Sequence, residues 1–255
     1  IDGDSAMPAA LPFQTPIIIG HRGAAAHAPE NTLASIREAA AQGVTIVEFD
    51  ATISGDHPPQ AIIIHDDTLD RTTSGTGAVD KTPFAALRQL DAGDGERIPT
   101  LQEIIAEVHR LGMTANVEIK VAPDRDRETA EAVMADLIRY WPEQAAPPVV
   151  SSLSIEALEI AQRERPDWPR GIVLRYKPDN WRELADRLDL AIISYNVGIE
   201  TPDEIDKLFA SGRHIMAFTV NDAEQARALL ERGVAGIFTD TPRTLLPVLA
   251  EFQSG

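Results

Sequence analysis

The 255-residue chain contains no cysteine, which excludes disulfides, thiolate metal sites and cysteine nucleophiles. It also lacks any apolar run close to the roughly 20 residues that a membrane-spanning helix needs. Basic residues are few, since 23 Lys and Arg stand against 40 Asp and Glu, for a formal net charge of −17. Such a surface repels nucleic acid and anionic lipid headgroups. We therefore expect no nucleic-acid partner and no stable membrane association.

Several common active-site motifs are also missing. The chain has no GxGxxG, GxxxxGK[ST], HExxH or GxSxG sequence. Hydrophobic residues make up 44% of the chain and charged residues 25%, a composition typical of globular proteins. We expect a single domain over residues 1–255, with 1–12 as a flexible N-terminal segment. We expect a cytoplasmic location, with the periplasm as the alternative, and the oligomeric state stays open.

Short β-rich apolar runs alternate with helical patterns from residue 16 onward. Nine runs are candidate strands: Pro16–Gly20, Thr45–Asp50, Ala61–His65, Ala115–Lys120, Pro148–Ser152, Gly171–Tyr176, Ala191–Tyr195, His214–Val220 and Gly236–Asp240. The third run follows the second too closely for a parallel crossover, which takes about a dozen residues. It is therefore predicted to return antiparallel in a hairpin. The other eight, each followed by a helical pattern, predict an α/β fold, a (β/α)8 TIM barrel.

Two helix starts and one long connection are also readable. Asn31 is a candidate N-cap, and Thr100 begins a capping box that Glu103 completes. Residues 66–98 are rich in turn formers and too long for a plain connection. They are predicted to form a small insertion near the barrel mouth, which we expect to shape substrate choice more than chemistry.

The hairpin predicts where one histidine lies. If the hairpin is symmetric about His57 and Pro58, Asp50 on the rising arm lies opposite His65 on the returning arm. A strand that overshoots the barrel rim would then bring His65 to the level of Asp50. This is the C-terminal rim, where barrel enzymes hold their chemistry.

Two strands each send a pair of charged side chains to that rim. Glu48 and Asp50 are two apart on one strand, and Glu118 and Lys120 are two apart on another, so each pair shares a face. Three carboxylates in one confined place suit a hard divalent ion, Mg²⁺ or Ca²⁺. From the spacing alone, a salt-bridge network of the same four residues is an equally good interpretation.

Histidines at strand ends are candidates for acid–base chemistry. His21 follows the first strand and His65 ends the hairpin. An unperturbed imidazole titrates near ~6.5, so two at one mouth could serve as acid and base. Arg22 offers a planar fork for a phosphate. The other four histidines are predicted to take no part in catalysis: His27, His57, His109 and His214. His109 is also predicted to be solvated.

Seven short motifs occur in an order that resembles the glycerophosphodiester phosphodiesterase family. They are HRG at 21–23, PENT at 29–32, VEFD at 47–50, HDDTLDRTTSGTG at 65–77, VEIK at 117–120, FTVN at 218–221 and GIFTD at 236–240. Together they span nearly the whole chain, and their combination is specific although each piece alone is not. The sequence departs from the family at Phe218, where tryptophan is more frequent, which bears on the fine shape of the substrate pocket.

The resemblance implies a TIM barrel with a small insertion after the hairpin that follows strand 2. It implies metal-dependent hydrolysis of glycerophosphodiesters, such as glycerophosphocholine and glycerophosphoethanolamine, to an alcohol and sn-glycerol 3-phosphate. The expected partner is thus a small-molecule substrate. The resemblance also implies three sets of site residues: His21 and His65 as catalytic acid and base, Arg22 and Lys120 as phosphate contacts, and Glu48, Asp50 and Glu118 as ligands of one divalent cation, Mg²⁺ or Ca²⁺.

The route and two competing functions stay open at this point. With no Ser or Cys nucleophile in evidence, we expect a substrate hydroxyl to attack phosphorus and give a cyclic phosphate that water opens. Direct attack by water is the alternative. A lyase acting on lipid headgroups would stop at the cyclic product, and a binding protein would not turn over. The acidic balance argues against the lyase, and the combination of two histidines with three carboxylates argues against the binding protein.

Overall fold

Eight parallel strands close into a ring in the computed structural model, which describes residues 10–175, 179–198 and 201–254. The ring strands are β1 Ile17–Gly20, β2 Ile46–Ile53, β4 Thr114–Ile119, β5 Val149–Ser152, β6 Arg170–Leu174, β7 Ile192–Asn196, β8 His214–Phe218 and β9 Gly236–Thr239. The ring closes because β1 pairs in parallel with both β9 and β2. A further strand, β3 Ala61–Ile63, lies outside the ring and runs antiparallel to β2. The predicted TIM barrel and the antiparallel hairpin are confirmed.

The register of the hairpin differs from the prediction by one residue. The Ile64 N–H donates to the Asp50 carbonyl at 3.0 Å, so Asp50 lies opposite Ile64 and not opposite His65. The prediction was wrong because the hairpin is centred on His57 alone and not on the pair His57 and Pro58. His65 therefore lies one step beyond the paired segment, where the chain is free to turn toward the mouth.

Helices cover the outside of the barrel. Their bounds are α1 Leu33–Ala41, α2 Phe84–Leu87, α3 Leu101–Arg110, α4 Asp126–Tyr140, α5 Ile155–Glu164, α6 Trp181–Arg187, α7 Pro202–Phe209, α8 Ala223–Glu231 and α9 Pro242–Ser254. Outward strand side chains such as Phe49 and Val117 pack with helix residues such as Ile104 and Val133 in one buried cluster. Among the helices described, none is both long and apolar enough to cross a bilayer.

The lower part of the barrel interior is filled with apolar side chains. Ile19, Ile46 and Met216 belong to one buried cluster contributed by several strands. Glu48 and Asp50 follow Ile46 at two-residue steps and so share its face of β2. The interior therefore changes from apolar at the bottom to charged at the C-terminal rim, and this confines polar chemistry to the mouth.

Two predicted helix starts have different outcomes. The capping box of Thr100 and Glu103 at α3 is confirmed, with the Glu103 N–H donating to the Thr100 hydroxyl at 3.1 Å. Asn31 was wrongly predicted as the N-cap of α1. Thr32 takes that role and accepts from the Ser35 N–H at 3.3 Å. Asn31 instead has a left-handed φ of 60° and turns its side chain into the barrel mouth.

Residues 66–98, the predicted insertion, form an irregular segment with a small apolar cluster of its own. The segment contains a 3₁₀ turn at Val79–Lys81 and the short helix α2. Its buried Leu69 and Leu87 pack with Ile64, which follows β3. The N-terminal segment that we predicted to be flexible falls mostly on residues 1–9, outside the described residues. Leu11 packs against the apolar cluster inside the barrel.

Candidate active site

A cavity of about 310 Å³ opens at the C-terminal rim of the barrel. The ends of β1, β2 and β4, together with the returning arm of the hairpin, supply its charged wall. All seven residues that the sequence analysis selected line this cavity: His21, Arg22, Glu48, Asp50, His65, Glu118 and Lys120. The fold thus brings together side chains that lie up to about 100 positions apart in the sequence.

Three carboxylates converge in the wall. Glu48, Asp50 and Glu118 each offer an oxygen atom, and these oxygens lie within 4.8 Å of one another. Burial, with repulsion from Asp50 and Glu118, raises the pKa of Glu48 well above its usual range. Burial and the charge of Asp50 raise the pKa of Glu118 to about 7. Shifts in this direction mean that three negative charges are unfavourable here unless a proton or a cation compensates them.

One carboxylate oxygen of Glu48 lacks a partner among the described residues, and a cation would supply one. Its Oε2 accepts the Arg22 N–H at 3.0 Å, so the turn after β1 orients this carboxylate. Its Oε1 is buried and has no hydrogen-bond partner in the part of the chain that the structure describes. Buried polar atoms without partners are rare in proteins and often mark the place of an ion. Carboxylate oxygens of this kind are the ligands that hard divalent cations prefer, so the residues fit such an ion.

The alternative interpretation, a salt-bridge network, is present as well. Lys120 Nζ lies 3.6 Å from Glu118 Oε1, and Arg22 Nε lies 3.3 Å from Asp50 Oδ2. Neither cation hydrogen-bonds the orphaned oxygen of Glu48. The two interpretations are therefore compatible, because ion pairs hold two of the carboxylates while the third keeps an open position.

A carboxylate orients the ring of His21. Its Nδ1 lies 2.7 Å from Asp240 Oδ1, and Asp240 is held in turn by the Asn221 side-chain amide at 2.8 Å. Burial alone would raise the pKa of Asp240, but the hydrogen bonds from His21 and Asn221, together with the charges of His21 and Arg22, outweigh it and lower that pKa. Because a carboxylate only accepts, Nδ1 carries the proton. Nε2 then faces the carboxylates, 4.0 Å from Glu48 Oε2.

His65 has the same arrangement with a different partner. Its Nδ1 lies 2.6 Å from Asp66 Oδ1, and its Nε2 lies 3.2 Å from Lys120 Nζ. Burial lowers the pKa of His65, against the opposing charge of Asp50. The neutral ring therefore carries its proton on Nδ1 and presents an acceptor nitrogen to the cavity. Both histidines thus expose Nε2 and have Nδ1 fixed by an aspartate.

Several residues that contact this group, directly or through one carboxylate, were not predicted to belong to the site: Glu30, Asn31, Asp66, Arg71, Asn221 and Asp240. Asn31 is buried, donates to Asp50 Oδ2 at 2.9 Å and accepts the Asp50 N–H at 3.1 Å. Asp66 follows a candidate histidine directly, and Asp240 ends a predicted strand at the catalytic rim. Adjacency to a histidine and position at a strand end are signals that could have selected these two.

A second cavity of about 470 Å³ adjoins the first. His65, Lys120, Leu153 and Arg175 line both, so the two cavities meet at these residues. Asp66, Asp67 and Thr68 of the insertion line the outer cavity alone. The mouth therefore continues from a charged chamber inside the barrel to a more open groove beside the insertion.

The other four histidines do not line the barrel cavity. His27, His57 and His214 are exposed. His109 was predicted to be solvated, and this was wrong. Its ring is half-buried and meets the ring of Trp141 edge-on, with the centroids 4.5 Å apart, because Trp141 at the end of α4 covers that part of α3.

Comparison with known families matches residues 21–244 to the model of the Glycerophosphoryl diester phosphodiesterase family. The chain belongs to this family. Membership confirms the predicted enzyme class, a phosphoric diester hydrolase, and the resemblance stated from the seven motifs.

Relatives agree over nearly their full lengths. The glycerophosphodiester phosphodiesterase of Caldanaerobacter subterraneus subsp. tengcongensis is 28% identical, over 90% of this chain and 96% of its own. A solved phosphodiesterase of Oleispira antarctica, in complex with the product sn-glycerol-3-phosphate, is 36% identical, with a TM-score of 0.86 over 92% of this chain and 97% of that chain. The glycerophosphodiester phosphodiesterase of Agrobacterium tumefaciens is 26% identical, with a TM-score of 0.73 over 89% and 98%.

Proposed function

We propose that this enzyme hydrolyses glycerophosphodiesters, such as glycerophosphocholine and glycerophosphoethanolamine, to the free alcohol and sn-glycerol 3-phosphate. The observation that carries the proposal is a pair of histidines, each with Nδ1 fixed by an aspartate, whose Nε2 atoms face one cavity. The same cavity is lined by three carboxylates and by three cationic side chains, Arg22, Lys120 and Arg175. The Oleispira relative, solved with sn-glycerol-3-phosphate, supports the same product here.

The charges of the site suit a phosphodiester. Glu48, Asp50 and Glu118 would hold one divalent cation, Mg²⁺ or Ca²⁺. The three negative charges of the carboxylates and the two positive charges of the ion sum to one negative charge. Arg22 and Lys120, which pair with two of these carboxylates, add two positive charges, so these five side chains and the ion together carry one net positive charge. A phosphodiester monoanion neutralises it. When bound, the ion polarises a nonbridging oxygen of the phosphate.

Arg22 and Lys120 are the proposed phosphate contacts. Both line the cavity, and both are anchored: Arg22 by Glu30 at 2.7 Å, and Lys120 by Glu118 at 3.6 Å. Anchored cations lose little side-chain freedom when they bind an anion, which favours binding. The planar guanidinium of Arg22 can donate to two phosphate oxygens at once, whereas Lys120 acts as a point charge beside His65.

His21 and His65 carry the proton transfers in our proposal. One Nε2 accepts the proton of the attacking hydroxyl, and the other histidine, protonated on both ring nitrogens at this step, delivers its Nε2 proton to the oxygen of the departing alcohol. In the cyclic route, a glycerol hydroxyl forms a new bond to phosphorus while the bond from phosphorus to the alcohol oxygen breaks. Water then opens the cyclic phosphate, with the two histidines in exchanged roles. Direct attack by water is the alternative and uses the same pair.

The two joined cavities offer room for the two arms of a diester. We assign the glycerol arm to the barrel cavity, next to Phe218 and Phe238, and the alcohol arm to the outer groove. His65 and Lys120 line both cavities, so a phosphate at the junction has its alcohol oxygen beside them. The assignment keeps the glycerol hydroxyls inside the barrel, where water is scarcer and the geometry is more defined.

Small water-soluble diesters should be preferred over lipids. A lysolipid must expose acyl chain on leaving a micelle or bilayer, at a cost of about 0.8 kcal/mol per methylene. Two exposed methylenes therefore lower kcat/KM by about tenfold. The test compares kcat/KM for glycerophosphocholine, lysophosphatidylcholine and bis(p-nitrophenyl) phosphate.

We expect glycerophosphocholine to be the best of the three substrates. A preference for the lysolipid would contradict the proposed substrate class. The synthetic ester has no hydroxyl next to its phosphate, so the cyclic route predicts slow cleavage of it. Rapid cleavage of the synthetic ester would select direct attack by water.

A further inference from the structure

Arg71, in the insertion, lies between two carboxylates outside the barrel cavity. Its Nε and Nη2 donate to Asp66 at 2.6 and 2.8 Å. Its Nη1 and Nη2 donate to Glu30 at 2.7 and 2.8 Å. Both carboxylates are thus bound in bidentate fashion by one planar guanidinium, a geometry that only arginine offers. The side chain of Arg71 is 48% exposed and does not line the barrel cavity.

Each of these carboxylates also holds a residue of the proposed site. The Asp66 Oδ1 atom that accepts from Arg71 also accepts from His65 Nδ1 at 2.6 Å. The Glu30 Oε1 atom that accepts from Arg71 also accepts from Arg22 Nη1 at 2.7 Å. One guanidinium therefore links a histidine on one side of the mouth to an arginine on the other, through two shared oxygen atoms.

The link joins two separate parts of the chain. Glu30 belongs to the connection between β1 and α1, whereas Asp66 and Arg71 belong to the insertion, 41 positions away in the case of Arg71 and Glu30. Asp66 is otherwise bound only by His65, and Glu30 only by Arg22, among the described residues. Without Arg71, each carboxylate would keep only its bond to His65 or Arg22, and it would orient that side chain less strictly.

We propose that Arg71 is a positioning residue that fixes His65 and Arg22 relative to each other through Asp66 and Glu30. The inference rests on the proposed function, since it gives those two residues their roles. It also changes the expected role of the insertion. The insertion supports the proton transfer at His65 and the phosphate contact at Arg22, besides lining the outer groove.

The test uses two substitutions at this position and one control in the same segment. Arg71→Met keeps an unbranched side chain and removes all its hydrogen bonds to Asp66 and Glu30. Arg71→Lys keeps the positive charge but cannot bind both carboxylates in bidentate fashion. Arg97→Lys is the control, because Arg97 is exposed and its guanidinium donates only to the Gln89 carbonyl among the described residues. Far-UV circular dichroism and thermal unfolding establish that each variant is folded.

We expect Arg71→Met to lower kcat for glycerophosphocholine by about 10–100-fold, the range typical of residues that orient functional ligands. We expect KM to rise as well, because Arg22 is released. Arg71→Lys should recover only part of this loss, and Arg97→Lys should match the wild type. Kinetic constants of folded Arg71→Met within twofold of wild type would overturn the inference. Complete rescue in Arg71→Lys would also overturn it, because a positive charge would then suffice.

A second readout does not depend on turnover. Nitrogen-15 NMR of the imidazoles reports which ring nitrogen of His65 carries the proton. We expect the Nδ1–H tautomer in the wild type and in Arg97→Lys, and a mixture of tautomers in Arg71→Met and Arg71→Lys. An unchanged tautomer in both Arg71 variants would contradict the positioning role. A wild type that shows the expected tautomer but never cleaves the diester would instead mean that the proposed function has failed.

Discussion

Glu118→Gln is expected to remove most of the activity and the response to divalent cations. The substitution keeps the size of the side chain and removes one of three charges whose oxygens lie within 4.8 Å of one another. A neutral amide binds a hard cation less strongly than a carboxylate does. Since metal-assisted stabilisation of a phosphoryl transition state contributes several kcal/mol, we expect kcat/KM to fall by about 10²–10⁴-fold. Activity is measured against Mg²⁺ and Ca²⁺ concentration after exhaustive chelation.

Binding of the cation can be followed without substrate. A ligand that binds only the folded state raises the free energy of unfolding by about 2.7 kcal/mol at a hundred times its Kd. We expect this increase in the wild type and a much smaller one in Glu118→Gln. Glu131→Gln is the matched control, because Glu131 is half-exposed on α4 and, among the described residues, pairs only with surface arginines. Full activity after chelation, with no metal found by elemental analysis, would rule out the metal role of these carboxylates.

The second large effect is expected at His65. His65→Ala should lower kcat by about 10²–10⁴-fold, the range usual for a positioned acid or base. The reason is geometric: Asp66 fixes Nδ1, and Nε2 lies 3.2 Å from Lys120 Nζ at the junction of the two cavities. Initial rates with saturating glycerophosphocholine, with circular dichroism to establish the fold, measure the effect.

His57→Ala is the control for this substitution. His57 lies in the hairpin that leads to His65, but its side chain is 79% exposed and does not line the cavity. We expect His57→Ala to cleave glycerophosphocholine at the wild-type rate. If His65→Ala retained more than about a tenth of the wild-type kcat while folded, His65 would not take part in proton transfer, and Lys120 would be the next candidate at the junction.

The barrel was predictable because its signals are periodic. Alternating apolar runs and helical patterns, with one spacing too short for a crossover, define eight ring strands and one returning strand. Two-residue steps along a strand also indicate that Glu48 with Asp50, and Glu118 with Lys120, point the same way, and all four line one cavity. Strand periodicity therefore predicts the direction of a side chain as far as the last residue that is hydrogen-bonded in register with the neighbouring strand.

Beyond the strand ends, periodicity no longer fixes side-chain direction. The pairing of Asp50 was misassigned because one residue in the hairpin loop shifts the register by one. Asn31 was taken for a helix cap because its actual role, two hydrogen bonds to Asp50 across the mouth, depends on a contact between distant segments. The partners Asp66 and Asp240 were missed for a related reason, since hydrogen bonds between side chains in loops leave no repeating pattern in a sequence.

The most direct test of the central claim is the identity of the products. Purified enzyme, supplied with Mg²⁺ or Ca²⁺, is incubated with glycerophosphocholine and followed by phosphorus-31 NMR. The account predicts that the diester resonance is replaced by that of sn-glycerol 3-phosphate, with free choline released in equal amount. A transient cyclic phosphate would identify the route, whereas a cyclic phosphate that persists would indicate a lyase. An unchanged diester with either cation, or the appearance of phosphocholine and glycerol, would contradict the account.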